Sequence, residues 1–492
     1  MGTDAVLALD AGTSSAKALL VDLDGGAVLA RESAPVRLRT QAPGWVEQDA
    51  NELADAVISA GATACAARPD VSVRAIALSN QRESVVAWDA ATGVPVGPLL
   101  SWQDARTADW VSSLPLDVAA DVREKSGLTL DAMYSAPKMR WLLDNADRPR
   151  SSLRLGTVDS WLVHRITGDW AIESGNASRT LLLDIASGDW DLELLDAFGI
   201  PRSALPDVRH SDADFGTTRA VAGLPDGVPV VAVLADSHAA LFAHASRGDG
   251  IAKATYGTGT SVMVPLADAT ARIPGLDTTI AWWTDAPNYA LEGNILATGQ
   301  AIDWIAQIVG GDDVQAGGRI VAELAARVPD AGGVTLVPAF TGLGSPYWDR
   351  RAVATLSGMT ASTTREHLAR AALESVAHQV ADIVDAVRGE KDGRIERLHA
   401  DGGASSIDAL LAVQADLLGL PVARSQEAAL SALGAARMAA RRLGRPLPPI
   451  DLDPPIEPHL PATARQGQRD AWRRAIDRSR FAPDAPDLEE EA

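Results

Sequence analysis

Two hairpins with the same turn chemistry lie about 245 residues apart in this 492-residue chain. Ala5-Val-Leu-Ala-Leu-Asp10 reads as a buried strand, Ala11-Gly-Thr-Ser-Ser15 as a turn, and Lys17-Ala-Leu-Leu-Val-Asp22 as the returning strand. Ile251–Tyr256, Gly257-Thr-Gly-Thr260 and Ser261–Leu266 repeat that order. A strand that returns through a tight turn is neither a phosphate loop nor a dinucleotide unit, since both of those run from strand into helix. No G-x-x-x-x-G-K-[ST] or G-x-G-x-x-G occurs in the chain. Turns of this kind present backbone amides and hydroxyls. Two of them facing each other across a cleft can hold a polyphosphate from both sides, whereas alone each is an ordinary hairpin.

Between and after the hairpins the pattern is mixed α/β. Asp24-Gly-Gly26 turns the first hairpin into a third strand, Ala27–Arg31. Asp49 starts a helix, with Glu52 as its capping-box partner and Leu53, Val57 and Ala60 on one face. Val71–Leu78, Ser84–Trp88, Val228–Leu234 and Arg397–Ala400 read as strands, and Gln300–Val309 and Thr364–Val387 as helices. A proline-rich stretch from about Pro446 to Pro461 leads to a polar helix, Thr463–Arg478, and an acidic tail expected to be disordered. This organisation predicts an N-terminal domain over residues 1–245, a C-terminal domain over 246–445 and an appendage over 446–492.

The charge narrows the choice of partners. With 44 basic and 65 acidic residues the net charge is −21, which disfavours nucleic acid and anionic membrane. Apolar runs stop short of the ~18 residues of a membrane span, and no basic segment followed by an apolar one marks a signal peptide. The single cysteine, Cys65, excludes an internal disulfide and a cysteine-based zinc site, so a reducing cytoplasm is expected.

Phosphoryl transfer to an alcohol needs donors for the phosphates, a metal and a carboxylate for the attacking hydroxyl. Asp10, at the end of the first strand beside Gly12, Thr13, Ser14 and Lys17, is suited to the magnesium side. Asp236, at the end of the strand before the second hairpin, is suited to be the general base. Arg82 and Glu83 form a donor and acceptor pair for vicinal hydroxyls, and Trp102 offers an apolar face to the C–H side of a polyol. A turn cap, a surface ion pair and core packing are the competing roles for these residues.

Ten stretches in order resemble the FGGY carbohydrate kinases, and among them the glycerol kinases. They are Leu9–Ser15, Pro43–Asp49, Ser79–Glu83, Trp102–Thr107, Thr157–Leu162, Asn176–Thr180, Tyr256–Gly259, Pro338–Gly344, Asp401–Ala404 and Ala432–Ala436, and the resemblance runs from about residue 5 to residue 445. It implies two actin-like (ribonuclease-H-like) α/β domains closing on ATP, Mg²⁺ and a small sugar or polyol, in a chain that forms a homodimer. It implies that Asp10 is the metal-side carboxylate, that Thr13, Ser14 and Lys17 line the phosphates, and that Thr258 and Gly259 form the second phosphate turn. Gly299, Asp303, Gly402 and Gly403 become nucleotide contacts. Arg82, Glu83, Trp102, Met133, Tyr134, Ser237 and Ser261 join Asp236 in the polyol site.

Several positions depart from the glycerol kinase pattern. Met133 stands in place of a tyrosine, Ser237 of a glutamine, Ser261 of a phenylalanine and Ile407 of an adenine-contacting asparagine. Ala222–Gly227 lacks the glycine-glycine-arginine loop that binds fructose 1,6-bisphosphate in some glycerol kinases. Ser135-Ala-Pro-Lys138 and Gly259-Thr-Ser261 are more similar to xylulokinases. The wider wall predicts a four- or five-carbon polyol or ketose as acceptor, pairing with the serines. Glycerol is the alternative acceptor, and an actin-like ATPase without sugar kinase activity is the alternative of another class.

Overall fold

The structure, a computed structural model, describes residues 2–245, 250–266, 268, 271–310, 317–390 and 394–480. The acidic tail lies outside the described residues.

Five strands form the first sheet: β1 (Thr3–Ala11), β2 (Ser15–Asp22), β3 (Val28–Pro35), β4 (Val71–Asn80) and β5 (Val230–Ala235), in the order β5-β4-β1-β2-β3. β2 runs antiparallel to β1 and β3, whereas β4 and β5 run parallel to β1. The second sheet has β6 (Ile251–Tyr256), β7 (Thr260–Leu266), β8 (Asp277–Trp283), β9 (Pro287–Ile295), β10 (Arg397–Asp401) and β11 (Val422–Arg424), in the order β8-β9-β7-β6-β10-β11. Apart from the extra edge strand β8, the second sheet repeats the strand order and directions of the first. The duplicated hairpin is therefore the opening element of each of two similar units.

β1 is buried on both faces, which is why its sequence is a continuous apolar run rather than an alternation. Leu7 and Leu9 pack with helix α1 (Ala50–Ala67) through Leu53, Val57 and Ala64. Val6 and Ala8 face the other layer, built by α2 (Asp236–Ala245) and a helix from near the end of the chain. That helix, Leu430–Arg442, crosses back to cover the sheet begun by residue 3. Gly434 permits the crossing: a Cβ there would lie 1.9 Å from the carbonyl oxygen of Ala239 in α2.

Two local expectations are corrected. Asp49 caps α1 by accepting from the amides of Asn51 and Glu52, but the Glu52 carboxylate pairs with Arg39 at 2.7 Å instead of closing a capping box. The terminal helix, Ala462–Arg480, is not merely polar. It buries Trp472, Ala475 and Ile476 against Val337, Ala339 and Leu343. Trp472 Nε1 donates to Asp382 at 2.7 Å, and Arg469 Nη1 donates to the His378 carbonyl at 2.9 Å.

Candidate active site

Three parallel strands bring the candidate site side chains to one end of the first sheet. In register, Asp10 of β1 lies beside Ser79 of β4, and Ala235 of β5 beside Asn80. The residues just past those positions, Arg82, Glu83 and Asp236, therefore emerge together. Ligands of open α/β sheets bind at such strand ends.

Asp10 is buried and accepts from the Ser79 hydroxyl at 2.6 Å. Burial raises its carboxyl above the usual range, with the charge of Lys17, its partner across the β1–β2 ladder, opposing the shift. Asp236 begins α2 and accepts from the Ser237 amide at 2.6 Å. Arg82 Nε lies 3.4 Å from Asp236 Oδ1. Burial pushes the Asp236 carboxyl up to about 6, Arg82 pulls it down, and the charges of Asp10 and Glu83 add to the rise. Its side chain retains 34% exposure, so the carboxylate is crowded by protein yet open to the cavity.

A buried ion network stands behind Arg82. Its Nη1 donates to Glu292 Oε1 at 2.5 Å, Arg179 Nη1 pairs with Glu292 Oε2 at 2.7 Å, and Arg179 Nε donates to Glu83 Oε1 at 2.8 Å. The Ser261 hydroxyl also donates to Glu292 Oε1, at 2.7 Å. Burial alone would raise the Glu292 carboxyl, but Arg179 and Arg82 override it and hold it far below the carboxylate range. Glu83 occupies a positive φ of 60°, and the Ser84 amide bonds back to the Arg82 carbonyl at 2.7 Å. This is a tight, strained corner for a residue with a side chain.

Asp10, Gly12, Thr13, Ser14, Lys17, Arg82, Glu83, Trp102, Met133, Asp236, Ser237, Thr258, Gly259 and Ser261 all line one cavity of about 380 Å³. Gly299, Asp303 and Gly403 line a larger neighbouring one, of about 1380 Å³. The two share Gln103, Gly257 and Thr258, so the second turn stands at their junction. Ile407 also lines the larger cavity, beside Ile302 and Trp304.

Two expected contacts lie behind the walls. Tyr134 is fully buried, with its hydroxyl donated to Asp277 and its ring under Arg179. Its neighbour Met133 faces the cavity and receives the Lys138 ammonium on its carbonyl. Gly402, at φ 88°, shapes the turn after β10, where a Cβ would come within 2.6 Å of the Tyr256 carbonyl oxygen.

The residues present fit ATP and Mg²⁺. Both hairpin turns open onto the smaller cavity, and at Gly259 a Cβ would sit 2.4 Å from the Ile295 carbonyl oxygen, so position 259 admits no side chain. Asp10 supplies a hard oxygen donor. Among the described residues no group of three or more His, Cys, Asp or Glu side chains could hold a metal alone. Mg²⁺ commonly takes one or two carboxylates plus phosphate oxygens, and Asp10 could supply one such carboxylate. Among the described residues no helix is long and apolar enough to cross a membrane.

Arg179 and Glu292 escaped the sequence reading as site residues. Arg179 falls in the Asn176–Thr180 stretch, so a signal was available. Glu292 sits in an otherwise ordinary strand, 210 residues from Arg82, and nothing local marks it.

Comparison with known proteins agrees with this geometry. Residues 5–243 match the N-terminal domain of the FGGY family of carbohydrate kinases, and residues 252–443 match its C-terminal domain. A glycerol kinase of Burkholderia ambifaria (strain MC40-6) is 40% identical over 489 residues, covering 96% of this chain and 97% of its own. A glycerol kinase of Deinococcus radiodurans is 38% identical over 493 residues, covering 96% and 97%. Among solved structures, Plasmodium falciparum glycerol kinase with ADP superposes with a TM-score of 0.86 at 26% identity, covering 98% of this chain and 99% of that one. Xylulose kinase from Rhodospirillum rubrum gives 0.81 at 26%, covering 96% and 98%. The curated relatives carry the name of the alternative acceptor, and the xylulokinase-like expectation gains no specific support from them. The chain belongs to the FGGY family of carbohydrate kinases, with the two actin-like α/β domains of that family, and is a phosphotransferase that uses ATP with Mg²⁺ and an alcohol as acceptor.

Proposed function

We propose that the chain phosphorylates a terminal hydroxyl of a small linear polyol, with glycerol as the first candidate acceptor. The observation that carries this reading is the convergence of Arg82, Glu83, Trp102 and Asp236 on the cavity into which both phosphate turns open. The curated glycerol kinases support the choice of glycerol.

In this mechanism Arg82 donates to one hydroxyl and Glu83 accepts from its neighbour, with Trp102 against the carbon chain. The terminal hydroxyl then lies against Asp236. As its oxygen bonds to the γ-phosphorus and the bond to the β-phosphate oxygen breaks, its proton passes to an Asp236 carboxylate oxygen and ADP leaves. Asp10 would hold Mg²⁺, which when bound offsets the phosphate charge. Lys17 and the amides of the two turns hold the phosphates. A base raised to about 6 is mostly ionised at neutral pH and still basic enough to accept the proton.

A second reading has its own observation. Met133, Ser237 and Ser261 line the cavity where glycerol kinases carry larger or aromatic side chains, which leaves room for a four- or five-carbon polyol or ketose. A coupled ADP-release screen over three- to six-carbon polyols and ketoses separates the readings. The first expects glycerol to have the highest kcat/KM. The second expects a tetritol, pentitol or pentulose to exceed glycerol by roughly 10-fold or more, the discrimination one misplaced polar contact gives. If no alcohol raises ADP release above its basal rate, both fall and an ATPase without sugar kinase activity stands. A cytoplasmic homodimer completes the proposal, and sedimentation of the purified chain tests the dimer.

A further inference from the structure

We propose that Gln48 is a positioning residue that locks the polyol grip in register with the first phosphate turn. The inference rests on the polyol kinase reading above. Gln48 ends the strand Trp45–Gln48, is 1% exposed and does not line the cavity. It belongs to the Pro43–Asp49 stretch, which the proposed mechanism leaves without a role.

Its amide group has two partners on opposite sides. Nε2 donates to the Thr13 carbonyl at 2.9 Å, and Oε1 accepts from Gln81 Nε2 at 2.8 Å. The chain of bonds continues: the Ser84 hydroxyl donates to Gln81 Oε1 at 3.1 Å and accepts from the Trp102 amide at 2.9 Å. Trp102 Nε1 then donates to the Thr13 hydroxyl at 3.0 Å. The path leaves Thr13 at its carbonyl and returns at its side chain, so it is a closed circuit.

The circuit encloses the groups whose relative placement matters. Gln81 and Ser84 flank Arg82 and Glu83 and clasp each other across the strained corner at Glu83. Trp102 forms a wall of the same cavity, and Thr13 is the middle of the phosphate turn. A neutral side chain with a donor and an acceptor on one planar group is what the Gln48 position requires. Without it, the grip would connect to the turn only through Trp102 and through the Gln81 amide, which donates to the Ala11 carbonyl at 2.8 Å at the start of the turn and leaves Thr13 itself unheld from that side. A misplacement of about 1 Å between reacting groups lowers the rate of chemistry by up to 10²-fold while leaving each ligand's own contacts intact.

The test uses the full chain and the best acceptor from the screen. Gln48→Met keeps length and neutrality but removes both the donor to Thr13 and the acceptor for Gln81. Gln81→Met breaks the next link and leaves the Gln48–Thr13 bond in place. We expect each to lower kcat roughly 10- to 100-fold, with both KM values within about threefold of wild type, because only the alignment is lost. The double variant should lose no more than the worse single one, since both cut one circuit. A kcat within threefold of wild type in either variant, a loss carried by KM, or losses that multiply would overturn the proposal. If the wild type itself phosphorylates no alcohol, the functional reading fails first and this inference with it.

Discussion

Replacing Asp236 by asparagine should separate catalysis from stability, and in opposite directions. The amide keeps shape and can still accept from the Ser237 amide, but it cannot take a proton from the acceptor hydroxyl. Loss of a general base costs about 10²–10⁴-fold in kcat. The stability effect follows from the raised carboxyl. In the folded chain Asp236 titrates near 6 rather than at the ordinary 3.8, so folding disfavours its charged form. That penalty is fully present above about pH 6 and fades as pH falls from 6 toward 3.8, where the folded state takes up the proton first. Two units amount to about 3 kcal/mol at most, and the exposure of the side chain reduces this to about 1 kcal/mol. Asp236→Asn should therefore melt at or above the wild-type temperature at pH 8, and the difference should vanish by about pH 4. Wild-type kcat/KM should fall as pH drops through about 6, where the base is protonated. Coupled ADP release from pH 5 to 9, and thermal unfolding at pH 8 and at pH 4, measure these effects. A variant turning over within tenfold of wild type removes Asp236 as the base. One that melts several degrees lower at pH 8 refutes the electrostatic reasoning.

Glu292→Gln should weaken the site from behind. Two buried guanidiniums lose their shared carboxylate, a loss of about 3–5 kcal/mol between stability and binding. Arg82 then turns to Asp236, so the acid limb of kcat/KM should move below about 6; an unmoved limb would contradict the network. Trp472→Ala should destabilise the chain by about 3–5 kcal/mol, as loss of a fully buried tryptophan does. Denaturant unfolding measures it, and a change below about 1 kcal/mol would mean that the terminal helix is not docked in solution.

What could be read from the sequence was what is local. Each hairpin is a strand, a glycine-containing turn and a strand within 20 residues of chain, and both formed where the residues said. Asp10 and Asp236 stand out because a carboxylate at the C-terminal end of an apolar strand comes to that end of the sheet whatever the tertiary fold. The helix Leu430–Arg442 was harder. Periodicity shows which of its faces is apolar but not which sheet it covers, and it crosses back to strands more than 400 residues earlier. The terminal helix looked polar because its charged faces dominate. Its stripe of Trp472, Ala475, Ile476 and Ser479 has the i, i+3, i+4, i+7 spacing that buries a helix.

The cavity wall at Ser261 shows why residue-by-residue reading misjudges specificity. Seen alone, Ser261 in place of an aromatic side chain offers a hydroxyl donor to a longer substrate. In the fold that hydroxyl is donated to Glu292, the carboxylate that also holds Arg82 and Arg179. Ser261 therefore keeps only acceptor capacity toward a ligand, and a longer polyol must be favoured by the room it fills rather than by a serine proton. The same bond ties the position to the grip. An aromatic residue at 261 would remove one of the partners of a fully buried carboxylate, a loss of about 1–3 kcal/mol. The identity of residue 261 and the charge of residue 292 thus act as one unit, and specificity at this wall changes only when both are considered together.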